Sequence, residues 1–430
     1  MREISVGYVG PFCDNNFGDY GMLVNDIYDI DVSDIVIFSY NAVFINNIVE
    51  KYLSHLNTVK VCQIDFCQNR DVQTGKYYNV EYDDYDETPL EIMTEVKNIE
   101  EVDKAVKSVN MLIVTGGGWI NEVWYAKHRI ERLKSIILPI ILAARYDIPI
   151  VYMGNTFGPL KKSTNFFSNF FAYTYKNSKF ACRDDFSSIL EMRRLGITDV
   201  NSVPDDFYFL NSSLKEQKVN ERVKRYIEKG KYIIIENYIS LGELEKNISK
   251  LKEFVAKMRK NYKVRVLFLP MGECYGGAYQ AELIKRNVPE IDIWEIDEGI
   301  ALDIVDIEEI IKNAQFVICQ RYHLLIRAVA NNVPVKQILK DVCGDKNYYY
   351  VKTMGALTKL FKGSPNEEQL WFGLEYWEEL YKVQEQYLAI IEQWKNLYDD
   401  RKKENEKSQL QVREKYIEEH IWKLLYNIQM

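Results

Sequence analysis

The sequence predicts an α/β protein: two Rossmann-like domains facing a cleft, followed by a C-terminal helical extension. Three observations carry this. Short apolar runs of strand length alternate with stretches of helical spacing from Ile4 to about Leu339. A polar, charged stretch, Lys215 to Lys229, divides the alternation into two series with no shared repeat. Beyond about Asn366 the chain turns helical and charged, with Trp371, Trp377, Trp394 and Trp422 set among Glu and Lys. The expected units are residues 1–214, 231–362 and 366–430. The last is expected to pack back on the first domain, or else to dock on a membrane surface or a second subunit.

Bulk composition narrows the function classes. With 430 residues, 47% apolar and 27% charged, the chain can bury a sizeable core. Its net charge of −8 and lack of a basic block argue against a nucleic-acid partner. An anionic ligand needs a local cationic pocket that works against this overall field. Seven dispersed cysteines suit a reducing compartment, and their spacing makes no zinc site, so no metal is expected. Met1 to Ile4 leads straight into a strand rather than a signal peptide, and no apolar run is long enough to span a bilayer. The expected location is the cytoplasm, with peripheral contact at the inner membrane face and homo-oligomerisation left open.

The elements follow in order. The first strand is Ile4–Val9, and Asn16-Phe17-Gly18-Asp19 follows it at the sheet edge where open α/β sheets bind ligands. Gly18 suits a sharp turn and Asp19 the cap of the next helix; the plain alternative is a capped turn with no ligand. The glycine spacing is not a dinucleotide fingerprint. Strands at Asp34–Ser39 and Val59–Phe66 flank a helix from Ala42 to His55, and the Tyr- and Asp-rich stretch from Asn69 to Glu87 reads as an exposed excursion. The strand Met111–Thr115 ends in Gly116-Gly117-Gly118, which admits close approach of a ligand and offers an anion nest, or else permits tight helix–strand packing. A helix from Arg129 to Arg145 leads to the strand Ile148–Met153 and a second glycine-bearing loop, Gly154 to Pro159, that includes Asn155. After a helix near Asn165 to Lys176, a short strand ends at Arg183, and acidic residues cap the next helix. Arg183 is either an anion ligand or the solvated partner of Asp184 or Asp185. Pro204-Asp205-Asp206 closes the first series. The second has strands at Tyr232–Glu236, Val264–Leu269, Ile291–Ile296, Phe316–Cys319 and Val333–Leu339, with helical spacing over Glu243–Lys260.

Within that second series, Arg321-Tyr322-His323 stands between the strand Phe316–Cys319 and helical spacing at Leu324, Leu325, Ala328 and Val329. A guanidinium and an imidazole thus fall where a strand's carboxyl end meets a helix's amino end, a place that favours anions. Arg offers a planar fork for phosphate or carboxylate, and His a proton near neutral pH. The plain reading is a cap or a packed histidine. Histidine is scarce, four in the chain, and the other three stand in ordinary helical or surface contexts, which favours a site.

Taken together, Asn16-Phe17-Gly18-Asp19, Gly116-Gly117-Gly118, Gly154 to Pro159, Arg183-Asp184 with Ser187, Pro204-Asp205, and Arg321-Tyr322-His323 running to Pro334 resemble the polysaccharide pyruvyl transferase family. The blocks occur in the family's order from about Ile4 to Lys340; the tail after Asn366 lies outside. The lysine-bearing segment that often follows the family's last strand has only displaced counterparts here, Lys336 or Lys340. The resemblance implies a GT-B-like fold and transfer of a carboxyethylidene group from phosphoenolpyruvate to two hydroxyls of one sugar. The acceptor it implies is a cell-wall, capsule or exopolysaccharide glycan or its lipid-linked precursor, with phosphoenolpyruvate as donor substrate and no cofactor. It also implies Arg321 and His323 as catalytic residues, with Arg183, Arg321, Tyr322 and His323 binding the donor. Asn16, Gly18, Asp19, Gly117, Gly118, Asn155 and Asp205 fall on the acceptor side.

The chemistry suits these residue types. Phosphoenolpyruvate carries a carboxylate and a phosphate, for which two arginines are natural clamps. Its C2 becomes electrophilic once C3 is protonated, and His323 is the candidate acid. Asp19, Asp205 and Asp206 are unranked candidates for the base. Two rivals stand beside this: a GT-B glycosyltransferase that uses a nucleotide sugar in the same cleft, and a non-enzymatic scaffold for glycan assembly.

Overall fold

The computed structural model describes residues 4–66, 89–127, 129–273, 277–296, 301–339, 347–361, 368–397 and 400–429. The excursion expected between Asn69 and Glu87, and Lys340, lie outside the described residues.

Strands β1 (Ser5–Val9), β2 (Asp34–Ser39), β3 (Thr58–Gln63), β4 (Met111–Val114), β5 (Gly117–Ile120), β6 (Ile150–Tyr152), β7 (Asn155–Phe157), β8 (Ser178–Cys182) and β9 (Val200–Ser202) form the first sheet. Their order is β3-β2-β1-β4-β6-β8-β7-β5, with β9 beside β8, and the pairs are parallel. Strands β10 (Tyr232–Ile235), β11 (Arg265–Phe268), β12 (Asp292–Ile293), β13 (Val317–Cys319), β14 (Val335–Ile338) and β15 (Phe372–Gly373) form the second, in the order β12-β11-β10-β13-β14-β15, also parallel. Parallel sheets are covered by helices on both faces, so their strands read as nearly unbroken apolar runs. That is why β4, all four residues of it buried, was plain in the sequence.

Four readings need correction. The two glycine-bearing segments are not open loops: β5 and β7 pair with each other, Gly117 opposite Asn155, because Trp119, Ile120 and Phe157 are fully buried and keep the chain extended. Asn16, not Asp19, is the N-cap of the first helix, Phe17–Ile30, and Asp19 stands in its first turn. The polar connector contains a helix, Glu221–Glu228, capped by the Asn220 side chain and anchored by buried Val223 and Tyr226. The helical stretch after Tyr238 breaks at Asn247 into Leu241–Lys246 and Ile248–Lys257.

The C-terminal residues are woven into both sheets' surroundings. Strand β15 pairs with β14. Trp371 and Trp394, both fully buried, meet edge to face at 3.9 Å. Lys336 Nζ donates to Glu379 Oε2 in the helix Tyr376–Leu397, at 2.7 Å. The next helix, Asp400–Ile417, runs back to the first sheet, where the Tyr416 hydroxyl donates to the carbonyl of Tyr152 at 2.7 Å. Among the described residues no helix is long and apolar enough to cross a membrane.

The two sheets' lobes meet directly. One continuous apolar cluster includes β1 and the first helix as well as β10, β11 and β13. Across the junction the Phe17 amide donates to the carbonyl of Met271 at 3.0 Å, Asn15 Nδ2 to Glu273 at 2.9 Å, and the Tyr20 hydroxyl to the carbonyl of Leu302 at 2.8 Å.

Candidate active site

The junction places the end of β13 against the end of β1. The helix Tyr322–Ala330 begins directly after Arg321, and its first turn carries His323 toward the first lobe. There it meets Gly18. A Cβ at Gly18 would lie 1.7 Å from His323 Nδ1, so glycine is required for close approach rather than for a turn. Arg321 Nη1 reaches Asn16 Oδ1 at 3.4 Å.

Arg183, at the end of β8, supplies the facing charge. It is fully buried. Its Nη1 donates to Asp205 Oδ2 at 2.6 Å and its Nε to Thr156 Oγ1 at 2.9 Å. Nη1 also stands 3.3 Å from His323 Nε2. A guanidinium only donates, so in this arrangement Nε2 is the unprotonated ring nitrogen. The alternative of a solvated pair with Asp184 or Asp185 does not hold, because Arg183 is fully buried: Asp184 accepts from the amides of Ser187 and Ser188 at the start of the helix Ser187–Arg194, whose N-cap is Phe186, and Asp185 meets Lys359 at 3.2 Å.

Two residues that sequence reasoning missed complete the cluster. Lys352, on the helix Asn347–Phe361, lies buried over the Tyr322 ring at 4.2 Å, and Arg183 lies over the same ring at 4.6 Å. The Tyr322 ring thus packs against both basic side chains. A sequence signal existed: Lys352 and Lys359 stand seven apart in an otherwise largely apolar helix. Glu236, at the end of β10, accepts from the amides of Gln320 at 2.9 Å and Arg321 at 3.0 Å, and its other oxygen stands 3.4 Å from Arg321 Nε. It fixes the base of the Arg321 side chain.

Burial and charge set the protonation states. Burial first, then the charges of Arg183, Lys352 and Arg321, push His323 down to about 3 against the pull of Asp205, so the imidazole is neutral. Burial, then Arg183, holds Lys352 well below its ordinary range. Burial alone would raise Asp205, but Arg183, with the Phe207 amide that donates to it at 2.9 Å, outweighs burial and holds the carboxyl below the usual range. Asp19 goes the other way: burial lifts it to about 6 against Lys352 and Arg183, with Asn16 Nδ2 donating to it at 2.5 Å.

Of the residues expected from sequence, the structure brings together Asn16, Gly18, Asp19, Arg183, Asp205, Arg321, Tyr322 and His323. Asn155 supports from behind: its carbonyl accepts from the Arg183 amide at 3.1 Å. Gly117 and Gly118 stand apart in β5, with Gly117 packed on Pro11 and the Gly118 carbonyl accepting from Asn121 at 2.5 Å. The cluster gathers guanidinium, ammonium and imidazole groups at a lobe junction of a chain whose net charge is −8. Such a gathering of basic groups has the chemistry that suits an anion, with carboxylates beside it.

Similar proteins agree with the fold. The UDP-GlcNAc 2-epimerase of Neisseria meningitidis, solved with UDP-GlcNAc, superposes with a TM-score of 0.58 at 10% identity, over 97% of this chain and 99% of that one. The Anabaena protein HepE, solved with UDP and glucose, gives 0.54 at 10% identity over 97% and 99%. At such identities the likeness shows the fold alone: two Rossmann-like domains of GT-B type. The search of curated protein sequences gave no match. The family model described as polysaccharide pyruvyl transferase matches residues 71–335, more than half of the chain. By that match the protein belongs to the polysaccharide pyruvyl transferase family.

Proposed function

We propose that the protein transfers the carboxyethylidene group of phosphoenolpyruvate to two hydroxyls of one sugar in a cell-surface polysaccharide or its lipid-linked precursor. The observation that carries this reading is the meeting of Arg183 and His323 from opposite lobes, 3.3 Å apart, with Arg321 and Lys352 beside them. Arg321 and Arg183 clamp the donor's carboxylate and phosphate, and the donor's negative charges favour the ammonium form of Lys352, which burial and Arg183 disfavour in the free site.

His323 starts neutral. The donor's negative charges stabilise the imidazolium, which then protonates C3 and turns the methylene into a methyl group. C2 becomes electrophilic and the first sugar hydroxyl adds to it, giving its proton to a carboxylate base. The second hydroxyl then attacks C2, the C2–O bond to phosphate breaks, and the second proton leaves with phosphate. One hydroxyl proton restores the histidine, so the sum is donor plus diol to ketal plus inorganic phosphate.

The partners of each carboxylate favour one candidate base over the others. Asp205 is committed to Arg183 and Asp206 is held by Arg413 and the Gly154 amide. Asp19, raised to about 6, is the carboxyl matched to proton transfer near neutral pH. Because phosphoenolpyruvate is a cytoplasmic metabolite, the site of action is the cytoplasm, at the inner membrane face when the acceptor is lipid-linked.

The test is incubation with phosphoenolpyruvate and a panel of sugar acceptors, with mass spectrometry for the ketal adduct and an assay for phosphate release. Ketal and phosphate in equal amounts are expected. Binding of uridine nucleotides with no response to phosphoenolpyruvate would reassign the protein to nucleotide-sugar chemistry.

A further inference from the structure

The helix Asp400–Ile417 lies outside the residues matched by the family model, yet it reaches the site from behind. Its Arg413 is buried and serves carboxylates from two elements. Nη2 donates to Asp26 Oδ1 and to Asp29 Oδ2, both at 2.8 Å, and Nε to Asp29 Oδ2 at 3.2 Å. Nη1 donates to Asp206 Oδ1. The other oxygen of Asp206 accepts from the Gly154 amide at 2.9 Å, and a Cβ at Gly116 would stand 2.2 Å from it. Asp206 is therefore fixed on both sides. The residue before it, Asp205, holds Arg183, which touches His323.

The same helix also ties the lobes together. Lys402 Nζ donates to Asn332 Oδ1 at 2.6 Å and pairs with Glu406 at 2.6 Å, and Asn405 Nδ2 donates to the carbonyl of Leu360 at 3.2 Å. Stability alone is a poor reason to bury an arginine with several carboxylates, because apolar residues of similar volume are often as stable or more so. Holding a neighbouring group in one place is a better one.

We propose that Arg413 is a positioning residue: from the C-terminal helix it immobilises Asp206 and, through the peptide link to Asp205, sets how Arg183 and His323 face each other across the lobes. The proposal rests on the reading that this pair acts on the donor. Release of Asp206 lets the loop Pro204-Asp205-Asp206 shift, and misplacement by about 1 Å costs on the order of 10²-fold in rate.

The test compares Arg413→Lys with Lys402→Met, which removes a different anchor of the same helix and leaves Asp206 paired with Arg413. Steady-state kinetics with phosphoenolpyruvate, thermal unfolding and imidazole NMR of the ligand-free protein are read in parallel, with the His323 signal identified by its loss in His323→Asn. Arg413→Lys is expected to lower kcat on the order of 10²-fold, to change the donor KM far less, and to move the His323 resonances. Lys402→Met is expected to lower Tm with kcat and those resonances unchanged. Should Arg413→Lys fail to fold, Arg413→Met combined with Asp26→Asn and Asp29→Asn removes the excess buried charge, and the same loss of kcat is expected. Either variant showing wild-type kcat and wild-type His323 resonances overturns the proposal. A wild-type protein that forms no ketal overturns the proposed reaction instead, while the resonances still decide whether Arg413 positions the pair.

Discussion

Asp205 and Asp206 are adjacent in the chain, each is buried, and each is paired with a buried arginine, yet the two pairs differ in kind. Asp205 faces the lobe junction, where Arg183 keeps it ionised below the usual carboxylate range and both stand next to an imidazole from the other lobe. Asp206 faces away. There burial outweighs Arg413 and lifts it to about 6, and its oxygens are taken by Arg413 and a backbone amide. Burial and pairing are common to both, so neither marks function. What separates them is a titratable group from a different lobe within reach of one pair and not of the other.

The strongest way to break this comparison is to remove Arg183. Arg183→Ala leaves Asp205 buried without its guanidinium, and losing one partner of such a pair costs about 3–5 kcal/mol. It also removes a donor clamp, so denaturant unfolding should show that loss and a donor titration should show no binding. Arg183→Met with Asp205→Asn takes away the unpaired charge and is expected to restore stability without restoring donor binding. If the double variant bound phosphoenolpyruvate as the wild type does, the front pair would not be the donor clamp.

The next largest effect is on turnover. His323→Ala is expected to lower kcat by about 10²–10⁴-fold, the usual span for a lost general acid, with circular dichroism and Tm near wild type. Wild-type turnover would end the acid assignment. Because burial, helped by nearby cations, pushes the free imidazole down to about 3, it is neutral before the donor arrives. Donor binding to the wild type should therefore take up a proton, and binding should weaken as pH rises through the imidazole's pKa in the complex. Calorimetry in buffers of different ionisation enthalpy measures the uptake, and His323→Ala should abolish it.

Asp19 gives a smaller effect with a definite sign. Its folded-state value of about 6 lies above the ordinary 3.8, so its contribution to stability is fully present below about pH 3.8 and is lost as pH rises through about 6. Asp19→Asn has no such loss. Its stability relative to wild type should climb between pH 4 and 6 and then level off, while turnover falls because the base is gone. A stability difference independent of pH across that window would mean that Asp19 is not held protonated by its surroundings.

Legibility followed the same division between local and distant causes. The parallel strands could be read because burial on both faces leaves long apolar runs. Arg321-Tyr322-His323 could be read because strand, cation and helix start follow one another without interruption. Strands β5 and β7 were hidden because β5 opens on two glycines and β7 is only Asn155-Thr156-Phe157 between Gly154 and Gly158, although Trp119, Ile120 and Phe157 hold them in place. Gly18 was assigned to a turn because only local geometry shows in sequence; the atom that forbids a side chain there belongs to His323 of the other lobe. A lysine was sought next to the last strand of the resemblance, where Lys336 instead pairs with Glu379, and the cation that joins the site is Lys352, one helix further on. Arg413 sits in a stretch so polar that it reads as a solvated face, and only the approach of Asp26, Asp29 and Asp206 makes it a buried group.

The smallest effect tests how the second lobe aims its charge. Arg321 is only partly buried, and it is oriented from below: Glu236 accepts from its amide and faces its Nε, the Tyr238 ring lies 5.3 Å from the guanidinium, and Nη1 points across the junction to Asn16. Its Nη end faces the first lobe, and this is the end proposed to grip a phosphate or carboxylate. Arg321→Lys keeps the charge but presents a single point in place of a fork, and lysine has no Nε for Glu236 to face. Loss of one charge-assisted hydrogen bond corresponds to about 1.4 kcal/mol, or roughly tenfold in donor affinity. The donor KM should rise by about that factor while kcat at saturating donor stays near wild type. A fall in kcat with KM unchanged would move Arg321 from gripping the donor to stabilising the transition state, and it would then belong with His323 rather than with Arg183.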